Sequence, residues 1–197
     1  MFSLLLFPAM VLLSFTMEDP LPLGSGIPKA DNKLKDISGK DVTLKDALKE
    51  NGLLVMFSCN TCPVVIENQA RTKEICQFAM TKNIGVVLLN SNEANRSGSE
   101  SLTAMQGYAK GQGYNWYYAE DKNNVLADAF GAARTPECFL FDKNGKLVYH
   151  GAIDDNPNDA ASVNRHHLQA AINEVVAGKE VSVKQSRSVG CGIKRIS

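Results

Sequence analysis

The sequence predicts an α/β fold in which a central mixed β-sheet is flanked by helices, as a three-layer sandwich. Two continuous apolar runs, 53–57 and 84–89, have the length and composition of strands that are covered on both faces. A helical pattern over 63–82 joins them, which is typical of neighbouring parallel strands. A hairpin pattern follows at 138–141 and 147–150, around an Asp-Lys-Asn-Gly-Lys turn. Parallel strands joined by helices and closed by an antiparallel hairpin make such a sandwich.

The remaining elements follow from local patterns along the chain. Short alternating runs on either side of a Ser-Gly-Lys-Asp turn predict an N-terminal β-hairpin extension, with strands near 34–37 and 42–44. The other predicted elements are a helical turn at 45–50, a helix at 102–110, an aromatic strand at 116–118, a short helix at 123–130 and a last helix at 163–177 that Gly178 caps.

Length and composition are typical of one globular domain. The chain has 197 residues, 44% of them hydrophobic, which is enough to bury one full core. We assign this domain to residues 17–180, followed by a C-terminal tail at 181–197. The formal net charge is +0 and no basic stripe is present, which argues against nucleic acid as a partner.

The first residues differ from the rest of the chain. Residues 1–16 are almost purely apolar, which matches the hydrophobic region of a signal peptide and is shorter than a membrane span. No Lys or Arg precedes Lys29 and no Ala-x-Ala site follows the run, so an uncleaved anchor or a plain hydrophobic N-terminal segment is the alternative. We expect an exported, periplasmic or extracytoplasmic protein that meets a membrane only through this segment, if it stays uncleaved.

The strongest chemical signal lies between the first buried strand and the helix after it, in the motif Cys59-Asn60-Thr61-Cys62-Pro63. Pro63 suits the first turn of a helix, and a Cys-x-x-Cys at such a junction is typical of a redox pair. We expect Cys59 to be the solvent-accessible nucleophile, because a helix N-terminus lowers the pKa of a nearby thiol. Cys62 is the expected resolving thiol. Asn60 and Thr61 carry no charge and would tune the pair through hydrogen bonds.

Two thiols at this spacing can also bind a metal, so a non-enzymatic copper or zinc module is an alternative. A structural zinc site needs four ligands, and the chain has no second Cys-x-x-Cys and no His-x-x-x-His. His166 and His167 are adjacent on a predicted helix and point about 100° apart, and His150 ends a strand. We expect no metal and no other cofactor, because the cysteines themselves carry the electrons.

The dipeptide Thr135-Pro136 directly precedes the first strand of the predicted hairpin. An X-Pro bond can be cis, and a cis-proline beside a Cys-x-x-Cys presents a backbone edge on which a substrate peptide can pair. An ordinary loop proline is the alternative. Arg134 precedes the dipeptide and is a further candidate for support of the active site.

Five cysteines cannot all pair within one chain. Cys191 lies between two glycines in the tail, shortly before two basic residues, and is a candidate third redox cysteine that resolves a disulfide or sulfenate at the Cys59 pair. The alternatives are that it pins the tail to the core or stays a free thiol. Cys76 and Cys138 lie in apolar patterns, and we expect both in the core.

Together these motifs resemble the thioredoxin superfamily, and within it the redoxin branch of peroxiredoxins and exported thiol-disulfide oxidoreductases. The likeness spans roughly 24–194. It includes the Cys-x-x-Cys-Pro motif, Thr-Pro before Cys-Phe-Leu-Phe-Asp, the Lys-Asn-Gly-Lys turn, Asn90-Ser-Asn92, the run 151–156 and the tail run 190–194. The resemblance implies a thioredoxin-like fold and thiol-disulfide exchange at Cys59 and Cys62. Its implied partners are protein disulfide substrates and a thiol electron donor.

The same resemblance leaves a thiol peroxidase as the alternative activity, with Cys62 attacking peroxide and Cys59 or Cys191 resolving. Peroxiredoxins carry a proline and a threonine before the peroxide-attacking cysteine. Val55 and Cys59 stand at those positions here, and Arg134 does not match the family arginine. We therefore prefer disulfide exchange to peroxide reduction.

Thioredoxins also carry a buried acid that helps to deprotonate the second cysteine. Leu53 stands at that position in this chain. We therefore expect either a slow resolving step or a substitute carboxylate such as Glu67 or Glu120.

Overall fold

A computed structural model describes residues 19–196, so the segment predicted at 1–16 lies outside the described residues. Within 19–196 there are nine β-strands and six α-helices: β1 (Leu34–Asp36), β2 (Asp41–Val42), α1 (Leu44–Ala47), β3 (Leu53–Ser58), α2 (Pro63–Glu67), α3 (Gln69–Thr81), β4 (Gly85–Asn90), α4 (Leu102–Gln112), β5 (Tyr117–Glu120), α5 (Val125–Phe130), β6 (Arg134–Thr135), β7 (Glu137–Phe141), β8 (Leu147–Gly151), α6 (His167–Val176) and β9 (Cys191–Gly192). None of these helices is long and apolar enough to cross a membrane.

Seven strands form one mixed sheet in the order β2-β1-β5-β4-β3-β7-β8, and β6 and β9 form a separate pair. The central strands β3, β4 and β5 are parallel, because α2 and α3 connect the first two and α4 connects the next. Strand β7 runs antiparallel to β3, and the hairpin β7–β8 completes that edge. The hairpin β1–β2 extends the other edge through antiparallel pairing of β1 with β5. The predicted mixed sheet and its N-terminal hairpin extension are confirmed.

Side chains of β3 alternate between two apolar layers, as the period of a strand requires. Leu54 and Met56 pack in the layer that α3, α4 and α6 cover. Val55 and Phe57 pack in the opposite layer with residues of α1 and α5. All four side chains are fully buried, which confirms the predicted three-layer thioredoxin-like sandwich.

The helix predicted over 63–82 is interrupted at Asn68, whose backbone (φ −87°, ψ 2°) separates α2 from α3. The buried side chain of Asn68 donates hydrogen bonds to Val64 O (2.8 Å) and Pro157 O (2.9 Å). Asparagine side chains compete with the helical backbone for such bonds. The prediction of one unbroken helix was wrong because the bond to Pro157 is a tertiary contact with no local signal.

The last helix begins at His167 and not at residue 163 as predicted. The segment before it is held by the loop at Asp155, whose carboxylate accepts from Asn164 N (3.0 Å) and whose amide donates to Arg165 O (3.1 Å). These bonds keep the segment out of the helix.

Cys76 and Cys138 are fully buried in the layer beneath α3 and α6, as predicted. Burial raises the pKa of both thiols above the usual range. They are therefore protonated core residues near neutral pH.

Candidate active site

The Cys-x-x-Cys motif forms the loop between β3 and α2. Strand β3 ends at Ser58, which pairs with Asn90 at the end of the parallel strand β4. Pro63 occupies the first turn of α2, as predicted, and Cys62 is the residue that caps this helix. The carboxyl ends of parallel strands meet at this edge of the sheet, where α/β proteins commonly place their sites.

A buried carboxylate, that of Glu100, holds the loop from below. Glu100 is 0% exposed and accepts hydrogen bonds from the Asn60 amide (2.9 Å) and the Thr61 hydroxyl (2.7 Å). The side-chain amide of Asn90 donates to the same carboxylate at 2.6 Å. Asn60 and Thr61 therefore anchor the loop through hydrogen bonds, and their effect on the redox pair stays a prediction.

Tyr118 completes this polar network under the loop. Its hydroxyl donates to Asn60 Oδ1 (2.8 Å) and accepts from Asn90 Nδ2 (3.0 Å). Burial raises the pKa of Tyr118 well above its ordinary value, so the phenol keeps its proton and remains a donor.

Sequence reasoning missed Glu100 and proposed Glu67 or Glu120 instead. Glu67 is exposed at the end of α2. Glu120 is half-buried, and its carboxylate lies 3.9 Å from the Arg96 guanidinium. The buried acid beside the cysteine loop is Glu100. The available signal was weak: Glu100 directly precedes Ser101, which caps α4, so it resembled an ordinary residue before a helix.

Cys59 is a free thiol and is 0% exposed. Its Sγ lies 3.3 Å from Thr135 Oγ1, within hydrogen-bond distance. Burial raises the pKa of Cys59, an effect that the hydrogen bond to Thr135 opposes and the nearby Glu100 reinforces. The expected solvent-accessible thiol of lowered pKa is wrong for this form of the protein. The reason is that Cys59 lies in an apolar cluster with Cys62 and Val65, against which Cys191 packs.

Cys62 is joined to Cys191 by a disulfide that spans 129 residues of sequence, with a Cα–Cα distance of 6.0 Å. Cys62 Sγ also lies 3.5 Å from Thr135 O. Cys191 is therefore not a free thiol in this form of the protein, and its predicted redox role stays a prediction. The structure thus brings all three candidate redox cysteines into one cluster.

The Thr135-Pro136 peptide bond is cis, as considered for this position. The short strand β6 pairs antiparallel with β9, which places Thr135 opposite Cys191 and Arg134 opposite Gly192. The backbone edge predicted to receive a substrate peptide therefore holds the protein's own tail.

Arg134 contributes its backbone to this region. Its amide donates to Glu137 Oε2 at 3.2 Å, and the same oxygen accepts from Ala133 N at 2.9 Å. The guanidinium of Arg134 makes no hydrogen bond or ion pair with other residues in the range 19–196. Glu137 also pairs with His150 (Nε2–Oε1 2.8 Å), so this buried acid fixes the backbone before the cis-proline.

Within the described range, no three His, Cys, Asp or Glu side chains are grouped so that they could hold a metal ion. His150 stacks on Phe139, with ring centroids 4.4 Å apart, in addition to its pairing with Glu137. These two contacts give His150 a structural role.

Comparisons with known proteins match most of this chain in sequence and fold. The model of the family described as Redoxin matches residues 19–166. A hypothetical protein from Sinorhizobium meliloti 1021 is 34% identical, with a TM-score of 0.81 over 91% of this chain and 97% of that chain. An uncharacterized conserved protein from Geobacillus kaustophilus is also 34% identical, with a TM-score of 0.81 over 88% and 92%. The thiol-disulfide oxidoreductase ResA of Bacillus thuringiensis (strain Al Hakam) is 24% identical over 134 residues, which is 68% of this chain and 72% of ResA.

Proposed function

Because this chain belongs to the Redoxin family, we propose that it is a thiol-disulfide oxidoreductase that exchanges electrons with protein thiols and disulfides. The activity of the relative ResA, a thiol-disulfide oxidoreductase, supports this reaction class. The single observation that carries the proposal is the disulfide between Cys62 and Cys191, formed beside the free thiol of Cys59 and the cis Thr135-Pro136 edge.

Cys62 is bonded to Cys191 and lies in one cluster with the free thiol of Cys59, so it can exchange with either cysteine. Cys191 pairs opposite Thr135 and is bonded to Cys62, so a substrate cysteine on the same edge would meet Cys62 first. Cys59 is deeper and its pKa is raised by burial, which suits a thiol that acts after the first exchange. We therefore keep Cys59 and Cys62 as the catalytic pair but assign the first attack to Cys62.

The proposed cycle begins with the reduction of the Cys62–Cys191 disulfide. A donor thiolate attacks the Sγ of Cys191, which is the more exposed of the two residues, and the electron pair of the broken bond leaves on Cys62, which takes a proton. A second donor thiolate attacks the donor sulfur of that mixed disulfide, so Cys191 leaves as a thiol and the donor as a disulfide.

In the second half, the Cys62 thiolate attacks a substrate disulfide and expels one substrate thiol. Cys59 or Cys191 then attacks Cys62 Sγ and expels the other substrate thiol. Two electrons and two protons have passed from the donor dithiol to the substrate disulfide, and the protein is again oxidised. Glu100 acts here as a positioning residue, because it holds Asn60 and Thr61 between the two cysteines.

The test is the reduction of a protein disulfide such as that of insulin, with dithiothreitol as the donor. Cys62→Ser should abolish catalysis, since no thiol exchange can then occur at that residue. Cys59→Ser and Cys191→Ser should each retain part of the activity, because either thiol can resolve. Cys76→Ala is the matched control, since Cys76 is buried in the core and should leave the rate unchanged.

Undiminished turnover in Cys62→Ser would refute the proposal. Peroxide consumption that depends on Cys62 without any disulfide reduction would favour the peroxidase alternative.

We also propose that the protein works outside the cytoplasm on protein disulfides, with a thiol donor. The apolar run at 1–16 and the presence of a disulfide support this placement, because disulfides persist in oxidising compartments. Cell fractionation, together with N-terminal sequencing of the mature chain, tests it. Recovery of the full-length chain in the cytoplasm would contradict it.

A further inference from the structure

Residues 190–195, which we call the tail strand, lie in a groove that bonds their backbone on both sides. On one side β9 pairs with β6, and the Ile193 amide donates to the carbonyl of the residue before β6 at 3.0 Å. On the other side Asn92 Oδ1 accepts from Lys194 N (2.9 Å), and Ala94 N donates to Lys194 O (2.9 Å). Main-chain bonds of this kind are available to any extended peptide, as in β-strand addition.

The groove also limits which residues fit on either side of the cysteine, where the tail strand has two glycines. A Cβ at Gly190 would lie 2.0 Å from Thr135 O, so the position before the cysteine accepts only glycine without a shift of the backbone. A Cβ at Gly192 would lie 4.0 Å from its nearest neighbour, Ala133 O, so the position after the cysteine has room for other residues.

Two further side chains of the tail strand make specific contacts with the groove. Ile193, two residues after the cysteine, is buried in the apolar layer that contains Phe130 and Ala132. Arg195, four residues after the cysteine, places Nε 3.0 Å from Asp128 Oδ1 and donates to Ala132 O at 2.9 Å. The groove therefore favours an apolar residue and then a cation at these positions.

We propose that the tail strand is an intramolecular mimic of the protein substrates, so that the contacts it makes in this groove define which substrate segments are selected. The substrate class is an extended segment of the pattern Gly-Cys-x-apolar-x-cation. The inference rests on the proposed function. Thiol exchange at Cys62 releases Cys191, the tail strand leaves, and a substrate cysteine takes the place opposite Thr135.

The groove is tested with a synthetic peptide of the sequence of residues 188–195, whose cysteine carries a thionitrobenzoate group. The protein is the full chain, reduced, with Cys191→Ser so that its own tail cysteine cannot compete covalently. Cys62 attacks the peptide sulfur, the new disulfide joins protein and peptide, and thionitrobenzoate leaves with the electron pair of the broken bond. Absorbance measures the rate, and mass spectrometry identifies the mixed disulfide.

The parent peptide should react about tenfold faster than peptides with alanine before the cysteine or serine two residues after it, since a single misfit group changes recognition by at least that factor. A glutamate in place of the arginine should slow it by about twofold, because Arg195 and Asp128 are both partly exposed. Rates within twofold of one another for all the peptides would overturn the inference.

Two further measurements separate this inference from the proposed function. Reaction of the protein with the symmetrical disulfide of thionitrobenzoate shows whether Cys62 exchanges at all, because this small reagent does not depend on recognition by the groove. The second measurement is the noncovalent affinity of a labelled peptide in which serine replaces the cysteine. The protein is the full chain with Cys191→Ser and Ile193→Asp, and this affinity measures recognition by the groove without any thiol exchange. Loss of exchange with selective binding would refute the function alone, and exchange without selectivity would refute the groove alone.

The tail strand itself provides a matched pair of variants in the full chain. Gly190→Ala should shift the equilibrium of the Cys62–Cys191 disulfide toward the dithiol by about tenfold in a dithiothreitol series, because the added methyl group meets Thr135 O. Gly192→Ala should leave that equilibrium unchanged, since its Cβ has room. Equal shifts in both variants would contradict the reading of the groove.

Discussion

Replacement of Glu100 should reveal how much stability the network under the cysteine loop contributes. In Glu100→Ala the Asn60 amide and the Asn90 side chain lose their buried acceptor, and the Thr61 hydroxyl loses its partner. Hydrogen bonds to a carboxylate contribute about 1.5–3 kcal/mol each, and a buried donor left unsatisfied costs about 1–3 kcal/mol. These contributions are not additive, and we expect the free energy of unfolding to fall by about 4 kcal/mol.

The conservative variant Glu100→Gln has a different expected result. Its amide oxygen can take the place of Oε2, which accepts from Asn60 and Asn90, while its NH₂ group faces the hydroxyl of Thr61 at the place of Oε1. A hydroxyl can accept as well as donate, so this contact survives in reversed polarity. The loss is then limited to the charge assistance of the bonds, about 1–2 kcal/mol.

The assay is urea unfolding of the oxidised protein, with thermal unfolding as a second measurement. A loss of 4 kcal/mol corresponds to a fall in Tm of about 8–16 °C for a chain of this length. Glu67→Ala is the control, because Glu67 is exposed and should change stability by less than about 0.5 kcal/mol. The reasoning is refuted if Glu100→Ala loses less than about 1 kcal/mol, or if Glu100→Gln is as damaging as Glu100→Ala.

Three other predictions concern the cysteines and the core. Cys191→Ser should lower the stability of the oxidised protein by about 3–5 kcal/mol, because the disulfide closes a long loop; an equal difference in excess dithiothreitol would contradict this. In the oxidised protein, alkylation of Cys59 should be much slower at neutral pH than that of a free cysteine, because burial raises the pKa of this thiol, and the rate should increase as the pH rises. Mass spectrometry against a denatured control measures the labelling. Rapid labelling of Cys59 at pH 7 would contradict this prediction. Phe130→Ala should cost about 3–5 kcal/mol in urea unfolding, because Phe130 is fully buried with Phe57 and Phe139 edge-on against it; a loss below about 1 kcal/mol would show that the layer collapses around the cavity.

The strands and the motif were predictable because their signals are local. A strand covered on both faces must be apolar wherever it lies in the sheet, so the residues of β3 and β4 indicated their own burial. Pro63 begins α2 as predicted, since proline at this position needs no partner for its nitrogen. The burial of Cys76 and Cys138 followed from the same kind of pattern.

The environment of the site was less predictable, because it depends on residues far apart in sequence. Nothing near Cys59 indicated that its thiol would be covered by a cluster that includes Cys191. Glu100 lies in a polar stretch before a helix, and only the fold brings it beneath Asn60 and Thr61. The break at Asn68 likewise depends on a bond to Pro157 across the molecule.

By itself, the sequence determined the three-layer sandwich, the position of the redox motif at the end of a central strand and the Thr135-Pro136 edge beside it. Apolar periodicity and the chemistry of cysteine and proline carry that information within a few residues. Only the tertiary structure decided which sulfur Cys62 bonds to and which strand occupies that edge. Both depend on a tail that is 129 residues from Cys62 along the chain, and pairing at that distance is set by the packing of the whole domain.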